Sequence, residues 1–322
     1  MTDSITENSG VDKKPEAQTL AQIIYGQIQT LRNYYSLVLD TQEVEAIHKM
    51  RVTTRRLQAS LDLLEIDKAE RSIGKLKKRL RRLRGKLSEV RNYDVFLIIL
   101  EQEAGKRRTV NPPFASLEEE LRRRRALRAD KMMQYLRKID FNKFFAILKM
   151  DWESSNQGEV SLAHLADDKA IAGRAAARIE QRLREFKDRA INAQPITHPE
   201  ELHQLRIAAK RLRYLLEIAT DMGIRGNLTA LGWLRALQDK IGDWHDFEAI
   251  EDEIINITAN REFVKKHLRE SHAILKAAVH LRKQKLALVK RLFPVKMHPS
   301  IESAASRTAN TYRKKFNLVQ QL

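Results

Sequence analysis

Apolar residues recur at the spacing of an α-helix along most of the chain, and the alternation typical of β-strands is absent. The sequence contains only 11 Gly and 7 Pro among 322 residues, and the rest is rich in residues that favour helices. We therefore predict an all-α fold. The predicted helices span residues 17–39, 43–65, 68–88, 92–107, 114–138, 140–152, 163–192, 199–222, 226–240, 244–258, 260–292 and 299–318.

Two stretches of the chain repeat one pattern. The first begins at Ile47 and reads IHKMRVTTRRLQASLDLL, and the second begins 155 residues later at Leu202 and reads LHQLRIAAKRLRYLLEIA. They align without gaps and are identical at five of 18 positions. A second pair follows at an offset of 154, with LSEVRNYDV from Leu87 and IGDWHDFEA from Ile241. This order predicts an internal duplication that forms two pseudo-symmetric helical bundles.

The predicted domain organisation follows the breaks between these patterns. Residues 1–16 are polar, and we expect them to form a disordered tail. Residues 17–322 are expected to form one domain of two helical repeats. The repeats are predicted at about 17–152 and 163–322, with a polar linker at 153–161.

Each copy of the repeated helix carries a basic wedge between two apolar stripes, when residues are placed at roughly 100° intervals. The first wedge consists of His48, Arg51, Arg55 and Gln58, and the second consists of His203, Arg206, Lys210 and Arg213. No acidic residue occurs at positions 48–61 or 203–216. Because unpaired like charges three and four residues apart destabilise a helix, this pattern is typical of a groove that binds a polyanion.

The most basic stretch follows the first copy and reads RSIGKLKKRLRRLRGK. It holds nine basic residues and no acid, whereas the equivalent stretch of the second half keeps only two basic residues. A shared groove would therefore have walls of unequal charge. The predicted polyanion-binding residues are His48, Arg51, Arg55, Arg56, Lys75, Arg79, Arg82, Lys86, His203, Arg206, Lys210, Arg211 and Arg213.

Another basic run, at Leu121–Arg128, has a different setting. Glu118, Glu119 and Glu120 stand three and four residues before its first arginines. Such spacing allows ion pairs on one helix face. We therefore predict an ordinary solvated face there and no anion site.

Overall composition narrows the class of partner. Lys and Arg total 60 against 42 Asp and Glu, and the net charge of +18 favours an anionic partner. There is no cysteine, which excludes disulfides and thiolate metal ligands. The longest apolar runs are too short to cross a bilayer, and the N-terminus does not resemble a signal peptide. We expect a cytoplasmic protein without membrane insertion.

At the repeated motifs the sequence resembles the CHAD family, the conserved histidine α-helical domain. The resemblance rests on IHKMRVTTRRL, LSEVRN, LHQLRIAAKRLRYLLE and LQDKIGDWHD, which occur in the family's order. It implies a pseudo-symmetric helical domain whose basic central groove binds inorganic polyphosphate. It further implies association with polyphosphate granules. The sequence contains no phosphate loop, nucleophile elbow or zinc-binding helix motif, so we expect neither catalysis nor a cofactor. A stand-alone member is implied, because the motif of the hydrolytic tunnel domain fused to many members is absent.

Two alternative functions are nucleic-acid binding and metal-dependent phosphate hydrolysis. Aromatic residues make up 6% of the chain and are not interleaved with the basic runs, which disfavours recognition of nucleic-acid bases by stacking. Weak, non-specific nucleic-acid binding is the alternative that stays open. A metal-dependent phosphohydrolase is less favoured, because His203, His245 and Asp246 lack further ligands at a suitable spacing. The sequence does not define the oligomeric state.

The two histidines of the wedges predict a pH dependence. His48 and His203 can donate hydrogen bonds when neutral and add charge when protonated. A nearby anion raises the pKa of a histidine. From these histidines we expect tighter polyphosphate binding at about pH 6 than at about pH 8.

Overall fold

The computed structural model describes residues 18–64, 70–105, 114–145, 168–193, 199–292 and 295–318, and every regular element in these ranges is an α-helix. The helices are α1 (Leu20–Thr41), α2 (Val44–Leu61), α3 (Glu70–Gly105), α4 (Ala115–Leu136), α5 (Phe141–Phe145), α6 (Asp168–Asn192), α7 (Pro199–Asp221), α8 (Leu228–Thr258), α9 (Arg261–Lys266), α10 (Leu268–Leu292) and α11 (Pro299–Leu318). The all-α prediction is confirmed for this part of the chain. The predicted tail at 1–16 and the predicted linker at 153–161 lie outside the described residues.

Two predicted helix breaks were wrong. The helices predicted at 68–88 and 92–107 form the single helix α3, and those predicted at 226–240 and 244–258 form the single helix α8. An apolar stripe continues through both expected breaks: Ile241 is buried in α8 at residues 241–243, and Val90 is buried in α3 at residues 89–91. In α3 the residues Leu83, Leu87 and Val90 carry this stripe through the expected break, and all three are buried. Each helix therefore continues through the expected break, because its buried apolar stripe is uninterrupted.

The helix predicted at 260–292 is instead divided. Asn260 caps the short helix α9 by accepting hydrogen bonds from the backbone N–H groups of Glu262 and Phe263. The chain leaves helical geometry at His267 and then begins α10. Asparagine is a favoured N-cap residue, so the start of α9 follows from local chemistry.

The helices pack in two similar series. In the first, α2 lies against α1 and α3, and α3 lies against α4. In the second, α7 lies against α6 and α8, and α8 lies against α10. The two series meet where α2 contacts α7 and where α3 contacts α8. This contact places the two copies of the repeated motif side by side.

Two hydrophobic cores are joined by the long helices. The larger core takes the N-terminal halves of α3 and α8, and the smaller takes their C-terminal halves together with parts of α4 and α10. Thus Leu83 and Leu234 belong to the larger core, while Ile99 and Ile254 belong to the smaller. Because each long helix is anchored at both ends, the polar face between the cores is held in a fixed position.

The main apolar stripe of each copy of the repeated helix is buried. In α2 the side chains of Ile47, Met50 and Leu57 are 0% exposed, and in α7 the same is true of Leu205 and Leu212. On the other side of the first wedge, Val52 and Ala59 are only partly buried. No described helix combines the length and apolar character that a membrane span requires.

Candidate functional site

A cleft of about 940 Å³ lies between the two series of helices. It is lined by residues of α2 and α3 on one side and of α6, α7 and α8 on the other. Its basic lining consists of His48, Arg51, Arg55, Arg56, Arg84, Arg91, Arg178, Arg182, His203, Arg206, Lys210, Arg211, Arg213 and His245. Nine of the thirteen predicted site residues line this one cleft, although they come from stretches 155 residues apart in the sequence.

The remaining four predicted residues do not line the cleft. Lys75, Arg79, Arg82 and Lys86 occupy positions on α3 that lie about 160° to 220° around the helix axis from Arg84, which does line it. Their contacts agree with this placement. The Arg79 side chain donates to the backbone carbonyls of residues 143 and 144, at 3.2 and 3.4 Å, and Lys86 donates to Glu89 at 3.0 Å.

Four arginines of the cleft were missed by the sequence prediction. Arg84 and Arg91 lie seven residues apart on one face of the continuous helix α3, and Arg178 and Arg182 lie four apart on α6. The spacing of the first pair was a readable signal, but the predicted break after residue 88 separated the two arginines. An unbroken α3 would have placed both on the same face.

Arg51 and Arg206 are the corresponding arginines of the two repeated motifs, and both are partly buried in the cleft. The Nε atom of each is buried and has no hydrogen-bond partner among the described residues. Burial and then the neighbouring cations Arg55 and Arg91 lower the pKa of Arg51 to about 10. Burial also lowers the pKa of Arg206, against the attraction of Asp246. Two partly buried guanidinium groups therefore line the cleft, where a bound anion would offset the cost of their burial.

Lys210 lies among these arginines and is affected most strongly. Burial, followed by the charges of Arg206, Arg55 and Arg51, lowers its pKa to about 6. The Lys210 side chain therefore releases its proton more readily than an ordinary lysine, and its neutral amine form relieves the crowding of positive charges.

The cleft histidines show the same effect. Burial and then Arg206 lower the pKa of His245 to about 4. Burial and then Arg51 also lower the pKa of His48. The rings of His203 and His245 lie 5.7 Å apart between their centroids. Both shifts come first from burial, and the positive charges of the neighbouring arginines add to it.

Carboxylates neutralise only part of the cleft. Glu217 lies 3.7 Å from Arg56 and 3.6 Å from Arg213. Glu185 pairs with Arg211 at 2.8 Å and with Arg182 at 2.6 Å. Both acids lie at the side of the cleft formed by α6 and α7. The central cations of the cleft, which come from α2, α3 and α7, have no such ion pair with the described part of the chain. These cations are Arg51, Arg55, Arg91, Arg206 and Lys210.

The α8 wall is less basic than the α3 wall. It contributes Asp239, Asp243 and Asp246 to the lining. Burial raises the pKa of Asp243, and it raises that of Asp246 despite the opposing effect of Arg206. Within the described ranges, no group of three or more His, Asp or Glu side chains is placed to hold a metal ion. The lining thus has walls of unequal charge, with its cations on α2, α3, α6 and α7.

The basic run at the start of α4 has the predicted ion pairs. Arg122 pairs with Glu118 at 2.6 Å, and Arg123 and Arg124 each pair with Glu120 at 2.7 Å. The predicted i,i+3 and i,i+4 pairing is confirmed. The arginines of this α4 face are therefore paired with glutamates, in contrast to the central cations of the cleft.

The chain is similar to proteins of one family. The family model described as CHAD domain matches residues 22–255. The crystal structure of the CHAD domain from the plant Ricinus communis is 17% identical with a TM-score of 0.59, and the match covers 94% of this chain and 97% of that chain. PptA from Streptomyces chartreusis is 16% identical with a TM-score of 0.54, and the match covers 95% of this chain and 97% of that chain. No curated protein matches the sequence.

Proposed function

Since the chain belongs to the CHAD domain family, which is linked to polyphosphate in general, we propose that its cleft binds inorganic polyphosphate without hydrolysing it. The observation that carries the proposal is the pair of partly buried guanidinium groups of Arg51 and Arg206, whose Nε atoms lack partners among the described residues. Polyphosphate offers charged oxygens along its whole length and no bases. Arginine matches such oxygens with two parallel hydrogen bonds, so the cleft needs no aromatic platform.

The arrangement of the two motifs supports a groove with two related walls. His48 and Arg51 on α2 correspond in sequence to His203 and Arg206 on α7. The helices α2 and α7 are in contact, and the following long helices α3 and α8 are in contact as well. We interpret this order as a duplicated unit whose two copies face each other across the cleft. The walls differ in charge because α3 contributes arginines where α8 contributes aspartates.

The binding role is tested by removing the two unpaired guanidinium groups. We expect the double variant Arg51→Ala/Arg206→Ala to lose roughly 1.5–3 kcal/mol of polyphosphate affinity per arginine, as for hydrogen bonds to charged groups. The measurement is isothermal titration calorimetry at one ionic strength. The matched control is Arg122→Ala/Arg123→Ala, which removes the same charge from arginines already paired with glutamates. Equal losses in both variants would contradict the proposed location.

Two further measurements separate this function from its alternatives. Long-chain polyphosphate should displace labelled DNA at a fixed salt concentration, whereas DNA should not displace polyphosphate. Both ligands would bind more weakly in high salt, so salt dependence alone does not distinguish them. Incubation with polyphosphate and Mg²⁺ should release no phosphate. Release that is lost in His245→Ala would instead assign a phosphohydrolase. A polyphosphate-binding cleft would also account for association with polyphosphate granules.

A further inference from the structure

Four exposed apolar side chains form a row along α10. They are Leu268, Leu275, Val279 and Leu286, with exposed fractions of 70%, 48%, 55% and 43%. Their spacings of seven, four and seven residues place them within about 40° of one another around the helix axis. Another side of α10 packs on the smaller core through Ile274 and Leu281, which are buried. This packing fixes the rotation of α10 and keeps the row at the surface.

The row follows the heptad pattern of a coiled-coil seam. With Val279 and Leu286 at position a, the other two members of the row are at d. His272 and Arg282 occupy the remaining a and d positions, and both are exposed. A coiled coil accommodates single polar seam residues, which fix the register of its helices. Thus α10 presents six consecutive seam positions at the surface, four of them apolar.

A column of cations lies beside the row. It consists of Arg269, Lys276, Lys283 and Lys290, which recur at every seventh residue and therefore all take heptad position e. All four are exposed, and none makes an ion pair or hydrogen bond with the described residues. Positions e and g carry the ion pairs between helices that decide which helices associate. A column of one sign therefore favours a partner helix with acidic flanks.

A second copy of α10 does not meet this requirement. Its e positions are the same four cations, and its g positions are Ser271, Ala278 and Lys285. No carboxylate therefore stands at either flank of the seam. Two such helices would bring cations, and no acid, to the flanks of their interface, and like charges at an interface disfavour association.

An anionic bilayer fits the row less well than a helix does. A helix that lies in a membrane interface buries a broad apolar face that is rich in Trp, Phe and Leu. The row of α10 is narrow and contains no aromatic side chain. It is also interrupted by Arg282, which lies 3.8 Å from Glu251. A narrow seam of this kind is typical of contact with one other helix.

From these observations we propose that the row and the column together dock an acidic amphipathic helix of another protein. That helix has apolar residues at its a and d positions and Glu or Asp at the flank that meets the column. The row supplies apolar contact area, and the column selects the sign of the partner's charge. Since α10 lies beyond residues 22–255, which the family model matches, and does not line the cleft, docking there is independent of what the cleft binds.

Two synthetic helical peptides of about three heptads test this docking. Both carry Leu at positions a and d, but one has Glu at every e and g position and the other has Lys there. The like charges on each peptide disfavour its pairing with itself. Binding of each labelled peptide to the full chain is measured by fluorescence anisotropy at one ionic strength. The Glu peptide should bind and the Lys peptide should not, because only Glu flanks complement the column.

Two variants of α10 separate the contribution of the row from that of the column. Leu275→Gln/Val279→Gln removes two exposed apolar contacts and should weaken binding of the Glu peptide by at least about tenfold. Lys276→Glu/Lys283→Glu reverses two charges of the column. It should weaken binding of the Glu peptide by about tenfold and bind the Lys peptide more tightly than the wild type does.

A control variant separates the column from net charge. Arg137→Glu/Lys138→Glu makes the same change in net charge at two exposed residues just after α4. The Glu peptide should bind this variant as tightly as it binds the wild type. An equal loss of affinity in the control would mean that net charge alone attracts the peptide, and it would overturn the docking site.

Other results would also overturn it. These are equal binding of both peptides to the wild type, no binding of either, and an undiminished affinity of the Glu peptide for Leu275→Gln/Val279→Gln. Sedimentation equilibrium and flotation with phosphatidylglycerol vesicles examine the two rival occupants. A dimer or vesicle binding that is lost in Leu275→Gln/Val279→Gln would assign the row to a second copy or to a bilayer. Circular dichroism of each variant establishes that the helices are retained, and the two-peptide comparison on the wild type requires no variant.

Discussion

At the scale of single residues, burial in the cleft lowers the pKa of Lys210, His48 and His245. Sequence reasoning placed the pH response on His48 and His203, and that assignment stays a prediction. Burial and Arg51 lower the pKa of His48, so a bound anion would first have to reverse that shift. Lys210, with a pKa of about 6, is the stronger candidate. It also forms part of the second wedge.

Lys210 should couple polyphosphate binding to proton uptake. A bound polyanion offsets the surrounding charges and favours the ammonium form, so its pKa rises from about 6 towards its ordinary value. Binding then takes up a proton above pH 6, and affinity should fall as pH rises from about 6 to about 8. Burial lowers the free pKa most, and the charged groups that lower it further lie on α2 and α7. They are Arg206, Arg55, Arg51 and Arg213.

The variant Lys210→Arg tests this coupling, because a guanidinium stays protonated throughout this range. We expect its polyphosphate affinity to change less between pH 6 and 8 than that of the wild type. The titration of the phosphate groups themselves contributes equally to both proteins, so the difference in slope reports on Lys210. Identical slopes would assign the pH response to the histidines or to the ligand.

At the scale of elements, the sequence predicted which helices exist better than where they end. The main apolar stripes of α2 and α7 and the basic wedges beside them follow from spacing alone, because the residues of these stripes, such as Met50 and Leu205, are buried. The continuity of α3 was missed, since the polar residues 89 and 91 were read as a break. Those residues lie on the polar face of one helix, and the buried Val90 between them continues the apolar stripe.

The sequence pattern of α3 does not by itself predict how this helix is oriented in the fold. Its basic residues occupy every direction except the apolar stripe, so spacing alone could not decide which of them face α2 and α7. Packing of α3 against α2 and α8 selects Arg84 and Arg91 for the cleft. The same packing leaves Lys75, Arg79, Arg82 and Lys86 outside it. Tertiary contacts were needed to make this choice.

Gly85 gives a test at the element scale. Because it is exposed in the middle of α3 and has open space where a Cβ atom would lie, Gly85→Ala should stabilise the protein by roughly 0.5–1 kcal/mol. The measurement is chemical denaturation followed by circular dichroism at 222 nm, the usual helix signal, with m-values compared. Gly226 is the matched control, since its φ of 90° and the Arg307 side chain, 2.5 Å from where a Cβ atom would lie, make Gly226→Ala destabilising. A destabilised Gly85→Ala variant would indicate an unrecognised constraint on that face.

At the scale of the whole molecule, the net charge of +18 works against the folded state when no ligand is bound. The charge repulsion is strongest in the cleft, because its central cations have no ion pair with a carboxylate in the described ranges. Replacing Arg51 and Arg206 by alanine should therefore raise the unfolding temperature of the free protein, measured by differential scanning calorimetry. A lower unfolding temperature would contradict this effect of charge repulsion. The cations that weaken the free fold are the ones expected to bind polyphosphate.

Polyphosphate should reverse this balance by binding the folded state alone. At a free concentration of one hundred times Kd it should add about 2.7 kcal/mol to the free energy of unfolding, an increase of a few degrees in Tm. The Arg51→Ala/Arg206→Ala variant, in the same polyphosphate concentration, should show little increase. Sodium chloride at equal ionic strength separates screening from binding, because screening acts on both proteins. An equal rise in Tm for both proteins would mean that polyphosphate stabilises the molecule through its overall charge and that the cleft has no special part in binding.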